Sequence, residues 1–579
     1  MSIPTISQFI KSISNPDSFQ THKSLRLEFK SDGTPFMVRH ENVLCFRMYS
    51  LELKRCVAAC CFIEQLWMTN YYLKKIADWH NRSKANTQSP VFLYLYGELL
   101  IEGYRNQDII VSEWRDDIET NFSFDIENSV RIVDEVAFTA DMTRLIVFPL
   151  PRKLIKSYPI PKGVTTIGKQ AFLDCNQVLE VIIPASVTTI EDEAFSHSFN
   201  IKSLIIPDTV MHIGYGAFTM LKINTIHIPV NVKITGGYFI ACYELLTITL
   251  GENHPHYSIV DNVLFSHDKK KLLRYPPARL DTTYTVPNGV EIIGDYAFSG
   301  CQHLTEFQLP DSIVAIWEDA FQGTSIKSFS FPKNINFIGE AIFEDCDKLD
   351  AFTFPLWITK ISTAMFTNCE SLTSFTIPDH ITVIEDYAFA RCENLKEINI
   401  PNSVLSIEDS AFSFCSKLTY VIIPASVKSI GNAVFEHCAE LEEITFYGEL
   451  SVIETSTFSD CSKLHTITLP KGLTKINERA FSFCTSLKFI IIPEGVTEIG
   501  NGAFCFCRNL HTVVLPNSLI SIAEEAFSCC NMLVNIDLPR NVISIGDNAF
   551  DDCENLNYGF KLVLTNKFGE RVLGEEDEE

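Results

Sequence analysis

The sequence predicts an α/β repeat solenoid. Three observations carry that expectation: an aromatic anchor on a 23-residue beat, a strand-period apolar pattern closed by proline within each beat, and a cysteine three places after most anchors. From Phe343 the anchor recurs at Phe366, Phe389, Phe412, Phe435, Phe458, Phe481, Phe504, Phe527 and Phe550. The same interval links Phe172, Phe195 and Phe218, and again Phe298 and Phe321. Unbroken spacing of this kind does not arise from composition. It also changes what the length means. An array grows by stacking coils without starting new cores, so 579 residues need not imply several globular domains.

Each unit has two halves. In the unit opened by Pro401, Leu418, Val421 and Ile423 give an L-x-x-V-x-I pattern, and the last two alternate at strand period. Pro424 ends that strand, because proline cannot donate to a ladder bond. In the other half, Ile407, Ala411 and Phe412 are spaced by four and five, which reads as a short helical or 3₁₀ turn. One such strand cannot bury its face alone. Stacking coils about 4.8 Å apart pairs every strand with its neighbours in one long parallel sheet.

The repeat residues resemble the BspA-type leucine-rich repeat family. The phrases that carry the likeness are IPNSVLSIEDSAFSFCSKLTYVIIP (400–424), IPEGVTEIGNGAFCFCRNLHTVVLP (492–516) and LPNSLISIAEEAFSCCNMLVNIDLP (515–539). The segment NHPHYSIVDNVLFSHDKKKLLRYP (253–276) resembles that family's long variant coil, and IVDEVAFTADMTRLIVFP (132–149) is a second copy that aligns Phe138 with Phe265. The resemblance implies a leucine-rich-repeat right-handed superhelix over 129–558, of about eighteen coils and roughly 85 Å when stacked. It also implies an adhesin-like or surface-antigen role.

Thirteen cysteines follow the anchor by three residues: Cys175, Cys242, Cys301, Cys346, Cys369, Cys392, Cys415, Cys438, Cys461, Cys484, Cys507, Cys530 and Cys553. Stacked on one side of the coil, they form an inward ladder of reduced thiols that pack as small hydrophobes; parallel side chains keep their Cβ atoms too far apart for disulfides. Ser198, Leu221 and Thr324 fill the same slot elsewhere, as a small packing position allows. Cys56 and Cys60, one turn apart on a helix expected over Leu51 to Trp79 with Cys45 and His80 nearby, could share a metal, but buried helix cysteines are the better reading. His254 and His256 flank Pro255 and read as a solvated loop. No nucleophile elbow, zinc-helix motif or phosphate-binding glycine loop occurs. The sequence therefore predicts a protein that is not an enzyme, with no catalytic residue, cofactor or metal site. Glu408, Asp409, Glu478, Glu524 and Glu525 read as a solvated convex face.

The net charge of −25 argues against nucleic acid and anionic membranes as partners, since both need a basic footprint. No apolar segment is long enough for membrane insertion. The N-terminal residues lack a secretory pattern, which favours a cytoplasmic protein, with cell-surface or secreted placement by another route as the alternative. The expected activity is protein binding on the repeat surface. The strand positions between core residues face outward, and Tyr420, Ile422, Phe489, Ile491 and Val514 are the apolar exceptions on that face, with His465, Lys488 and His511 beside them. The alternative is an intracellular recognition subunit docking through its N-terminal segment, or an enzyme within residues 1–128. That segment reads as α+β, with a hairpin around Ser31 to Thr34, the helix over 51–79 and a second hairpin joining Val91–Tyr96 to Leu99–Glu102. It could cap the first coil. Residues 559–579 read as a C-terminal cap, Lys561 to Leu573, followed by an acidic, disordered tail, Glu575 to Glu579.

Overall fold

The computed structural model describes residues 154–574 except 235 and 238, residues 129–133, 136–139 and 141–148, and the strands between 37 and 111. The chain divides into two compact units, 1–267 and 268–579. Among the described residues, parallel β-solenoid coils, about 17, make up the second unit and the part of the first unit from Arg144 on, with almost no helix.

In the second unit each coil carries two strands. The long one, such as Tyr420–Ile423, pairs in parallel with Glu443–Phe446 of the next coil, Tyr420 opposite Glu443 and Ile422 opposite Thr445. The short one, such as Ser406–Ile407, pairs in parallel with Ser429–Ile430. Each partner lies 23 residues on, so the sequence beat and the ladder register are the same quantity. Val421 and Ile423 are buried while Tyr420 and Ile422 are exposed, as strand alternation requires.

The half expected to be helical is a short strand followed by tight turns. Ser410 and Phe414 adopt left-handed backbone conformations, with φ of 55° and 59°. A helix cannot pass through them. Their backbone donors serve the neighbouring coil instead: Ser410, Phe412 and Phe414 donate to the carbonyls of Asn432, Val434 and Glu436 at 2.8, 3.0 and 2.8 Å. A non-glycine left-handed residue costs about 1–2 kcal/mol. Three inter-coil hydrogen bonds at about 1 kcal/mol each, with full burial of one phenylalanine at about 1.5–3 kcal/mol, offset two such residues. The anchor rings then stack in register: Phe412 on Phe435 at 5.6 Å and 4°, Phe504 on Phe527 at 5.2 Å and 3°. Phe412, Phe435, Phe504 and Phe527 are all fully buried.

The last coil ends on a helix, Tyr558–Phe568, and a 3₁₀ turn, Glu570–Leu573. Asn557 caps the helix, its side-chain oxygen accepting from the Phe560 amide at 2.7 Å. The turn supplies what a further coil would supply. Asn548 donates to the Arg571 carbonyl and Phe550 to that of Val572, at 2.8 and 2.9 Å, repeating the inter-coil bonds made by Ser410 and Phe412. Glu575 to Glu579 lie outside the described residues.

The first unit contains a 13-stranded sheet. Ser129–Val133 pairs antiparallel with Val136–Thr139, and Tyr257–Val260 does so with Val263–Ser266, so the two segments aligned through Phe138 and Phe265 both open with a hairpin. Both phenylalanines are buried. Pro90–Leu95 and Glu98–Tyr104 form the second expected hairpin. Of the first expected hairpin, Leu25–Phe29 lie outside the described residues, while Met37–His40 pairs with Val43–Ser50.

The helix expected from Leu51 is also corrected, since Arg55–Ile63 is a strand antiparallel to Val43–Ser50. A short apolar run fits a buried strand as well as a helix, and pairing with the neighbouring strand decides. Cys56 and Cys60 are therefore about 13 Å apart along a strand, not one helical turn, which removes the geometry of a shared metal. His80 is outside the described residues.

Candidate functional site

The long-strand ladder is the surface on which outward side chains accumulate in register. Phe489–Ile491 pairs in parallel with Thr512–Val514, setting Phe489 opposite Thr512 and Ile491 opposite Val514. Inward Ile490 and Val513 are buried, whereas Phe489, Ile491 and Val514 are 43%, 52% and 45% exposed. Tyr420 and Ile422 are also exposed. All five residues singled out from the sequence therefore face outward, but they do not form one cluster. Glu443 with Thr445, and Thr466 with Thr468, intervene on the two coils between. At about 4.8 Å per coil, Tyr420 and Ile422 stand about 14 Å from Phe489 and Ile491. The contiguous apolar group is Phe489, Ile491 and Val514.

Three exposed cationic or titratable side chains, His465, Lys488 and His511, occupy the position just before this group on three successive coils. Beyond them the signs change. Glu442 and Glu443 lie one coil earlier and Asp537 one coil later.

Two further outward features escaped the sequence reading. Ile182 and Ile205 pair side by side in the first unit and are exposed, Ile205 by 76%. On the turn edge, the residues two places after the anchor also form a column. Phe414 stacks on His437 at 4.3 Å with the Arg391 guanidinium 5.2 Å from its centroid, and Phe483 stacks on Phe506 at 4.6 Å. Their regular distance from the anchor was the available signal.

The thirteen ladder cysteines are buried, and the eleven from Cys301 to Cys553 are free thiols. The slot is more specific than a packing position. Each of ten thiols from Cys346 to Cys553 donates to the carbonyl of an anchor phenylalanine one coil back; Cys438, for example, donates to Phe412 at 3.3 Å. The same Phe412 carbonyl accepts the Cys415 amide at 3.2 Å. Ser198 keeps the function, donating to the Phe172 carbonyl, and Thr324 donates to Phe321 at 2.8 Å. The two hydroxyl residues at this slot were the clue that a donor is wanted there. Leu221 is the exception. Burial pushes the Cys346 and Cys392 thiols up to about 12, so at neutral pH they stay protonated and are poor nucleophiles.

His254 also departs from expectation, being buried rather than solvated. Its Nδ1 accepts the His256 amide at 3.2 Å and its ring lies 4.8 Å from that of Tyr257. The turn folds back on Tyr257, whose own hydroxyl accepts the Ile234 amide, and this encloses the imidazole. Burial, with His256 and His267 close by, holds the imidazole below its ordinary range. Among the described residues, no group of three or more His, Cys, Asp or Glu is placed to hold a metal ion, and no helix is long and apolar enough to cross a membrane.

The family model described as the BspA type leucine rich repeat region matches residues 147–270, 281–396, 382–507 and 475–567. No curated protein matches the chain. Among solved structures, a leucine-rich repeat protein from Bacteroides ovatus is 24% identical, over 76% of this chain and 94% of that one, with a TM-score of 0.39. A leucine rich cell surface protein from Faecalibacterium prausnitzii is 24% identical, over 72% and 95%, with a TM-score of 0.30. The pneumococcal vaccine antigen PcpA is 15% identical, over 93% and 98%, with a TM-score of 0.26.

Proposed function

The chain belongs to the BspA-type leucine-rich repeat family, and we propose that it is a non-catalytic scaffold that holds a protein partner against the long-strand ladder. The observation that carries this reading is the group Phe489, Ile491 and Val514, three apolar side chains exposed on paired strands whose backbone the solenoid holds fixed. A partner contacting such a lattice orders little of the scaffold, so less of the interaction energy is lost on binding. Tyr420 and Ile422 supply a separate second contact for a partner long enough to reach them. An enzymatic role has no support from the ladder thiols, which are protonated and buried. We read the scaffold as intracellular, with the cell surface as the alternative; buried, reduced thiols are compatible with a reducing compartment.

A photo-activatable cross-linker in place of Ile491 tests the surface, with one at Glu478 on the turn half as comparison. The reading expects protein adducts from position 491 and few from 478. Adducts from 478 alone, or from neither, would overturn it. Protease treatment of intact cells tests the compartment. An untrimmed chain supports the intracellular placement, and a trimmed one transfers the scaffold to the cell surface, as in the adhesin-like reading.

A further inference from the structure

The face around Phe489 has a charge character opposite to that of the chain. The whole protein carries a net charge of −25. Yet the long-strand segments 462–471, 485–494 and 508–517 together contain Lys463, His465, Lys471, Lys488, Arg508 and His511 against a single acid, Glu494. That acid is already engaged: its carboxylate accepts from the Asn517 amide and side chain and from the Ser518 amide. Some of the cations are engaged too. Lys463 pairs with Glu440 and Arg508 lies 5.6 Å from the centroid of the Phe506 ring, while Lys471 stands beyond the strand, after Pro470. On the strand face itself stands the column His465, Lys488, His511, in which His511 Nδ1 is hydrogen-bonded to the Met532 carbonyl at 3.1 Å. The column runs alongside Phe489, Ile491 and Val514, with its neighbours set by the 23-residue register.

We propose, on the basis of the scaffold reading above, that this strip docks a short polypeptide segment in which carboxylates alternate with apolar side chains. The apolar residues of such a segment cover Phe489, Ile491 and Val514, and its carboxylates face Lys488, flanked by the His465 and His511 rings. Complementary charge on a surface of this kind steers the encounter and rejects partners of the wrong sign. The strip also limits the length of its occupant. It spans three coils, about 10 Å from first strand to last. An acidic segment extending further meets Glu442 and Glu443 on one side and Asp537 on the other. Those flanking acids fix the register by repulsion, as interfaces do when they discriminate by penalising misplacement.

The test uses the full chain and a fluorescent peptide that alternates glutamate with phenylalanine and leucine, read by anisotropy. Two comparison probes are the same peptide with lysine for glutamate and an oligonucleotide of similar charge. The acidic peptide should bind, and its affinity should fall with added salt. Lys488→Glu should weaken it by about tenfold or more, and so should combined replacement of Phe489, Ile491 and Val514 by serine. Lys396→Glu, in the same column four coils away, should change it by less than about twofold. Equal loss from Lys396→Glu, or equal binding of the lysine peptide or the oligonucleotide, would overturn the proposal. No binding of the acidic peptide while position 491 still cross-links a partner sinks this proposal alone. Loss of both removes the scaffold reading as well.

Discussion

The two halves of a coil treat the same residue type in opposite ways. In the turn half Phe412 is fully buried between Phe389 and Phe435, whereas in the strand half Phe489 is 43% exposed. The turn half fills its interior with anchor rings and thiols. It also passes its backbone hydrogen bonds to the next coil. The strand half needs only every second side chain for the core and leaves the others to vary. The contrast teaches that stability is concentrated in the turns and that the sequence is free to carry recognition on the strands.

The sharpest way to break this contrast is Phe412→Ala. Deleting a buried aromatic should lower stability by about 3–5 kcal/mol, read as a shift of the urea midpoint. A loss below about 1 kcal/mol would mean that the ring stack does not hold the coils together. The thiol ladder sharpens the comparison at smaller scale. Cys438→Ala removes both volume and the donor to the Phe412 carbonyl and should cost about 1–2 kcal/mol. Cys438→Ser keeps a donor, as Ser198 does naturally, and should cost less. If serine is worse than alanine, the slot is an apolar packing position and not a donor site.

A third prediction concerns a buried acid in the turn half. Asp319 takes a left-handed conformation, φ 53°, two places before Phe321. Burial, reinforced by the nearby carboxylates of Glu344, Glu318 and Asp295, raises its carboxyl to about 7 from an ordinary value near 3.8. The folded chain therefore holds this proton more tightly than the unfolded chain. The associated stability is fully present below about pH 4 and is lost as the pH rises to about 7. Asp319→Asn should flatten that part of the profile, gaining stability relative to the parent at pH 8 compared with pH 4. A parallel offset at both values would show that Asp319 does not titrate in this window.

Much of this architecture was legible in advance, because a 23-residue beat and a 23-residue ladder register are one periodicity seen twice. The inward and outward positions of the long strand followed from alternation alone, which is why Tyr420, Ile422, Phe489, Ile491 and Val514 are all exposed. Their grouping did not follow. It depends on exposure coil by coil, although the beat alone already sets two coils between Ile422 and Ile491, which are 69 residues apart. The turn half misled because spacings of four and five between Ile407, Ala411 and Phe412 mimic a helix. The left-handed conformations at Ser410 and Phe414 are set by bonds to the next coil, a tertiary cause with no local signature. Arg55–Ile63 was misread for a related reason, since an apolar run of alanine and cysteine is decided by its pairing partner. His254 lies in a turn whose polar residues suggested solvent, but burial comes from the chain folding back on Tyr257.

The central claim is that folding and recognition are carried by different halves of each coil. Its most direct test is the urea unfolding of the Phe489→Ser/Ile491→Ser/Val514→Ser variant beside Phe412→Ala. Three substitutions on the strand face should leave the midpoint and slope close to those of the parent. The single one in the turn half should move the midpoint strongly. Comparable losses in the two proteins would contradict the claim and place the strand face within the folding core.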